Sequence, residues 1–249
     1  NSYTIAKEVF QETDDSLNQH LSKLIFEGDI NELTKTENTQ PALMAVSLAV
    51  FKVIEQQTKL KINDFANFVC GHSLGEYSAL ACSNAISLSD CAKILRIRGN
   101  AMQKAGSSSN GAMAAIIGTH IETTELIAKE SAESDICEIA NDNSIGQIVI
   151  SGDESAIDRS LEIAKKHGAK RAIKLPVSGA FHSSLISSAK IDLENGLDNI
   201  EILKPAVSLI ANVTASEVNE PSLIKKLLID QVTSMVRWRE TLEYLAQKQ

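Results

Sequence analysis

Aromatic residues are scarce in this 249-residue chain: phenylalanine, tryptophan and tyrosine make up 4% of it, with a single tryptophan. Leucine, isoleucine, valine and alanine must therefore fill whatever interior it has. No long hydrophobic run exists either. The longest apolar stretch, residues 42–51, is too short for the roughly 20 residues a membrane helix needs. The first residues, Asn-Ser-Tyr-Thr-Ile-Ala-Lys-Glu, lack the charged and apolar regions of a secretory signal, so a soluble cytoplasmic protein is expected. Glycine and proline are few, and no segment combines low hydrophobicity with high charge, which argues against disordered tracts. Positive charge is not in excess: the net charge of −8 argues against nucleic-acid binding. The four cysteines, Cys70, Cys82, Cys91 and Cys137, form no C-x-x-C pair and match no histidine spacing. Reduced, buried thiols rather than a metal site are expected.

What is present is 43% hydrophobic residues at a mean hydropathy near zero, enough for one large core or a core plus a smaller domain. Residues 3–26 read as two short amphipathic helices broken near Asp14-Asp15-Ser16. Pro41 is placed to open a helix reaching about Lys59. Residues 65–70 form a short apolar strand candidate, a helix follows from Glu76, and another runs from about Leu88 to Lys104, capped by Ser87 or Ser89.

The middle of the chain changes character. Strands are predicted over 112–118, 136–140, 147–151 and 170–177, and helices over 122–133 and 153–167. That β-α-β-β-α-β order is the ferredoxin-like pattern, and the polar segment 106–111 reads as a hinge leading into it. The expected architecture is α/β: a large α/β-hydrolase-like domain of residues 1–108 and 180–249, with a ferredoxin-like domain, 109–179, inserted. A helix near 183–197, a strand at 206–211 and two helices after Pro221 complete the prediction.

The chemistry centres on Gly71-His72-Ser73-Leu74-Gly75, a G-x-S-x-G pattern running straight out of the apolar strand. A sharp strand-to-helix turn projects a serine oxygen at a helix N-terminus, where backbone N–H groups can hold an oxyanion. A tight structural turn is the bland alternative. A serine nucleophile needs a base. Of the five histidines, His72 adjoins the serine, His20 and His167 lie among charges, and His120 ends a strand. His182 remains, at a predicted helix start whose positive end would keep it neutral; a core or capping histidine is the competing reading. Arg98 continues the apolar stripe Leu88, Cys91, Leu95 and Met102 at helical spacing. A guanidinium there must meet an anion, either an internal carboxylate or that of a substrate. Lys165, Lys166, Lys170, Arg171 and Lys174 form a basic run in an otherwise acidic chain, a solvated face or a patch for an acidic partner.

These residues, taken together, resemble the malonyl-CoA:acyl-carrier-protein transacylases of dissociated fatty-acid synthesis. The resemblance rests on Thr39-Gln40-Pro41-Ala42-Leu43, Gly71-His72-Ser73-Leu74-Gly75-Glu76-Tyr77-Ser78-Ala79-Leu80, Arg98-Gly99 and Met102-Gln103. It continues through 111–115, Asn141 and Asn143, Gly179-Ala180-Phe181-His182, Asn212-Val213-Thr214, Gln231 and Val236-Arg237-Trp238, in the family's order. It implies ping-pong transfer of malonyl from malonyl-CoA to acyl carrier protein, with Ser73 as nucleophile and His182 as base. Arg98 would hold the malonyl carboxylate and the Leu74 amide would form half of the oxyanion hole. A main-chain carbonyl at Gln231 would orient the histidine, and the Phe181 ring would crowd an α-methyl branch. Lys170 and Arg171 would fall in the carrier-docking region. No cofactor is implied, malonyl-CoA being a substrate, and a monomer without membrane or nucleic-acid partners is expected. The chain departs from the family in having no Gly-Gln-Gly-Ser-Gln loop and no closing glycine-containing segment, which reads as trimming at both ends. The nearest rival is a serine thioesterase or hydrolase of the α/β type, which would want an acid between Ser73 and His182. A non-catalytic carrier-binding module is a second.

Overall fold

Side-chain hydrogen bonds set several of the element boundaries in the computed structural model, which describes residues 3–177 and 179–248. The first helix, Thr4–Leu17, runs unbroken through the Asp14-Asp15-Ser16 cluster that was expected to end it. Asp14 is instead used by the next helix, Leu21–Glu27: its carboxylate accepts from the Ser22 amide at 2.8 Å and the Ser22 hydroxyl at 2.6 Å. The break falls at Asn18, whose left-handed conformation ends the helix (φ 47°). Pro41 likewise does not open its helix, which spans Thr36–Thr58. The extra turn before it is tied back by Thr39, which donates to the Leu33 carbonyl at 2.7 Å, and by Asn38, which donates to that of Glu32 at 2.8 Å.

Helix Leu88–Ser108 starts where Ser87 caps it, the hydroxyl accepting from the Asp90 amide at 3.0 Å. It runs into the expected hinge at 106–111 and ends there at Ser108, with Ser108 and Ser109 bonding back to the carbonyls of Lys104 and Ala105. Seven strands occur among the described residues: β1 Phe68–Val69, β2 Gly111–Ile117, β3 Cys137–Ser144, β4 Gln147–Asp153, β5 Arg171–Lys174, β6 Ser208–Ala211 and β7 Ser216–Val218.

The chain divides into two units. The first comprises residues 1–101, 191–211 and 217–226. It contains a small sheet in the order β1-β6-β7, in which β1 and β6 are parallel, Phe68 opposite Ser208 and Val69 opposite Leu209. Strand β1 is shorter than expected because Ile62–Phe65 forms a helical turn instead. Helix Gly75–Cys82 follows β1, and Tyr77 and Leu80 within it are fully buried.

The second unit comprises residues 102–190, 212–216 and 227–249. Its sheet has the order β3-β4-β2-β5 with every neighbouring pair antiparallel. Alternation along β2 sends Ala112, Ala114 and Ile116 to one face, where they pack with Ile150, Ile127 and Ala128 of helix Ile121–Ala132, and Ala156, Ile157 and Ala164 of helix Glu154–Lys166. Met113 points to the other face with Ala140 and Val149, and Phe181 packs there. The β3–β4 hairpin turns at Gly146, which needs the left-handed region (φ 79°). No helix among the described residues is long and apolar enough to cross a membrane.

Ile150 is fully buried at the centre of this sheet. Ile150→Ala should lower unfolding free energy by about 2–5 kcal/mol in a denaturant titration; a loss below about 1 kcal/mol would contradict the packing described.

Candidate active site

Ser73 sits in the tight turn between β1 and helix Gly75–Cys82, in the left-handed region (φ 53°). That conformation costs a non-glycine residue about 1–2 kcal/mol, and it is held by closely packed backbone. A Cβ on Gly71 would stand 2.0 Å from the Gly75 carbonyl carbon and oxygen, so only glycine fits there. Gly75 differs: a Cβ there meets no atom within 4 Å. The first glycine of the motif lets the chain cross itself, whereas the second borders open space. The amides of Gly75 and Glu76 bond to the carbonyls of His72 and Ser73. The Leu74 N–H makes no hydrogen bond among the described residues, which leaves a donor beside the serine at the start of a helix.

Arg98 reaches this turn from the middle of helix Leu88–Ser108, and it is 1% exposed. One guanidinium nitrogen donates to Gln40 Oε1 at 2.7 Å and another to Ser73 Oγ at 3.0 Å. The group also lies 5.6 Å from the centroid of the Tyr77 ring. Burial works against its charge, while the nearby Tyr77 and Glu76 favour it. Gln40 is itself buried and donates to Thr36 Oγ1 at 2.9 Å. Because a guanidinium can only donate, the Gln40 carbonyl oxygen must face Arg98 and the amide nitrogen must face Thr36. Sequence reasoning named Ser73, Leu74 and Arg98 but gave Gln40 no role. Its own neighbourhood gave little signal, since the whole turn before Pro41, Thr36-Glu37-Asn38-Thr39-Gln40, is polar.

The second unit holds the other candidates. His182 is 5% exposed and also left-handed (φ 59°). Its Nδ1 lies 2.9 Å from the Gln231 main-chain oxygen. A carbonyl only accepts, so Nδ1 carries the hydrogen and Nε2 of the neutral ring is left with its lone pair. The expected long helix after His182 is only a three-residue 3₁₀ turn, Ser184–Ile186, followed by helix Ala189–Leu197. Among the described residues the ring therefore does not lie at the start of a long helix. Gln231 ends helix Pro221–Gln231, so its carbonyl belongs to a negative helix end. Its side chain donates to Asn212 Oδ1 at 3.3 Å, and both residues are fully buried. Phe181 packs against Met113, Ala140 and Val149.

Lys170 and Arg171 are exposed at β5, an edge strand. The basic run around them is smaller in charge than the sequence suggests. Lys174 pairs with Glu154 at 2.7 Å and Asp158 at 2.8 Å, and Lys165 with Glu162 at 2.6 Å. Burial pushes the Cys82 and Cys137 thiols up to about 12 and raises Cys70 and Cys91 as well, so none is a thiolate at neutral pH. Among the described residues no three or more His, Cys, Asp or Glu side chains gather where they could hold a metal ion.

A serine held left-handed in a strand-to-helix turn, with the Leu74 amide beside it and a buried arginine hydrogen-bonded to it, is an arrangement that acyl transfer could use. The chain belongs to the acyl transferase domain family, which it matches over residues 2–249. It is 43% identical over 241 residues to the malonyl CoA-acyl carrier protein transacylase of Bacillus subtilis (strain 168), covering 96% of this chain and 74% of that one. Its fold is close to the crystal structure of acyl-carrier-protein-S-malonyltransferase from Bartonella henselae, with a TM-score of 0.95 and 49% identity over 98% of this chain and 78% of that one. A type II PKS acyl-carrier protein in complex with its malonyl-transacylase is also similar, at TM-score 0.94 and 36% identity over 99% and 79% of the two chains.

The two glycines of the turn should behave differently. Gly71→Ala should destroy labelling of Ser73 by a fluorophosphonate, whereas Gly75→Ala should leave a folded chain with an unchanged melting temperature. Equal behaviour of the two variants in labelling and melting would contradict the packing around the turn.

Proposed function

We infer that this acyltransferase moves the malonyl group of malonyl-CoA to the phosphopantetheine thiol of acyl carrier protein through a malonyl-serine intermediate, and so feeds fatty-acid synthesis. Membership of the acyl transferase family and the names of its relatives support the reaction class. The observation that carries the malonyl reading is Arg98: a buried guanidinium with one hydrogen bond on the nucleophile itself. A substrate whose acyl group ends in a carboxylate matches that fork, while an acetyl group brings no charge for it to pair with.

In the proposed sequence Ser73 Oγ attacks the thioester carbonyl as its proton passes to His182 Nε2. The Leu74 N–H donates to the developing oxyanion. The carbon–sulfur bond then breaks, and the departing thiolate of coenzyme A takes the proton from His182. In the second half the carrier thiol gives its proton to His182 and attacks the serine ester. The new thioester forms and the proton returns to Ser73 Oγ. The Gln231 carbonyl holds the ring in the required tautomer throughout, and the chemistry asks for no cofactor. Phe181 is the proposed barrier to an α-methyl branch, and Lys170 with Arg171 the proposed dock for the acidic carrier.

The same reading takes the first unit as α/β-hydrolase-like and residues 109–179 as a ferredoxin-like domain inserted between 1–108 and 180–249. The strand order β3-β4-β2-β5, antiparallel throughout, supports the second name. A cytoplasmic monomer is part of the proposal. The rival α/β hydrolase is not favoured: a carbonyl rather than a carboxylate meets Nδ1 of His182, and hydrolysis has no use for Arg98.

Arg98→Ala should lower kcat/KM for malonyl transfer about 100-fold, roughly 3 kcal/mol, the scale of a lost buried charge contact. Acetyl transfer should be spared or raised. Unchanged malonyl transfer would defeat the carboxylate role. Lys170→Glu with Arg171→Glu should raise KM for carrier protein several-fold while leaving KM for malonyl-CoA alone; an equal rise in both would count against docking there.

A further inference from the structure

Gly99 lies beside Arg98 as the twelfth of the 21 residues in helix Leu88–Ser108. Glycine is a poor helix former, so one in a helix interior calls for a reason in packing. Gly99 supplies it. A Cβ there would stand 2.5 Å from Glu37 Cα, 2.8 Å from the Thr36 carbonyl oxygen and 2.9 Å from the Glu37 nitrogen. All three are backbone atoms in the first turn of helix Thr36–Thr58. Ordinary contact begins at 3.4 Å, so any side chain at 99 would open this crossing by about 1 Å.

The same turn holds Arg98. Thr36 Oγ1 accepts from Gln40, Gln40 accepts from Arg98 at 2.7 Å, and Arg98 reaches Ser73 Oγ at 3.0 Å. Hydrogen bonds of that length do not survive a 1 Å displacement of one end unless the side chain leaves its other partner. We propose that Gly99 is a positioning residue for acyl transfer: by letting two helix backbones touch, it places the Gln40–Arg98 pair on the nucleophile. It acts through Arg98 and touches no reacting atom. The proposal rests on the reading of Arg98 as the malonyl carboxylate's partner.

Gly196 provides the control. It too packs on helix Leu88–Ser108, but the nearest atoms a Cβ there would meet are side-chain atoms, Ile94 Cδ1 at 2.8 Å, Ile97 Cδ1 at 3.1 Å and Ile97 Cγ2 at 3.3 Å, rather than the backbone of a neighbouring helix.

The test compares kcat/KM for malonyl and acetyl transfer, with melting temperatures, in G99A, G196A, R98A and the G99A/R98A double variant. G99A should lose about 30-fold or more in malonyl transfer, since misplacement by 1 Å can cost about 100-fold. Its acetyl transfer should fall less than about threefold, and G196A should keep the wild-type ratio of the two activities. Adding G99A to R98A should change malonyl transfer little, because the group it positions is already gone. Equal losses of malonyl and acetyl transfer in G99A, or full additivity with R98A, would overturn the proposal and leave the Arg98 reading standing. An R98A variant with unaltered malonyl transfer would overturn both.

Discussion

A guanidinium buried to 1% exposure is the constraint around which the first unit is arranged. Arginine cannot shed its proton, so its charge must be met where it lies. Here that is done by Gln40, Ser73, the face of Tyr77 and the field of Glu76. Each of these imposes a further requirement. Gln40 must be held by Thr36, the helix bearing Thr36 must come within backbone contact of Gly99, and Ser73 must be turned into the left-handed region. One buried charge thereby links three helices and the turn after β1. Removing any one of them leaves a charge without its partner, which explains why polar residues occupy an otherwise apolar interior.

Seven non-glycine residues among those described have left-handed backbones, and the proposed chemistry uses two of them. Ser73 and His182 are both non-glycine residues with left-handed backbones, each held by its own unit's packing. Gly71 allows the first, and the bond from Nδ1 to the Gln231 carbonyl orients the second. A carbonyl differs from the carboxylate of a hydrolase triad in carrying only a partial charge, and so orients the ring without fully neutralising its charged form.

What could be read from the sequence follows from whether the signal is local. Ser73 was legible because a strand-to-helix turn needs small neighbours at fixed spacing, and Arg98 because it interrupts an apolar stripe at helical period. A strand over 112–118 was likewise expected, and β2 occupies Gly111–Ile117, but which of its apolar residues face which side is known only from the structure. The misplaced boundaries arise from side chains reaching outside their own segment. Asp14 serves the following helix, Asn38 and Thr39 add a turn before Pro41, and Ser108 and Ser109 bond back to a helix that extends into a presumed hinge. The Gln231 carbonyl is invisible to residue-type reasoning, since every residue has one, and entered only through resemblance to a family. Gln40 and Gly99 depend on how two helices cross, a fact that no single stretch of sequence contains.

The central claim is that a malonyl group rests on Ser73 between donor and acceptor. Incubating the protein with malonyl-CoA and no acceptor, then mapping added mass by peptide mass spectrometry, tests it most directly. The account predicts one malonyl adduct on the peptide containing Ser73, removed when holo acyl carrier protein is added. Free coenzyme A accumulating with no adduct, or an adduct on a peptide without Ser73, would contradict it.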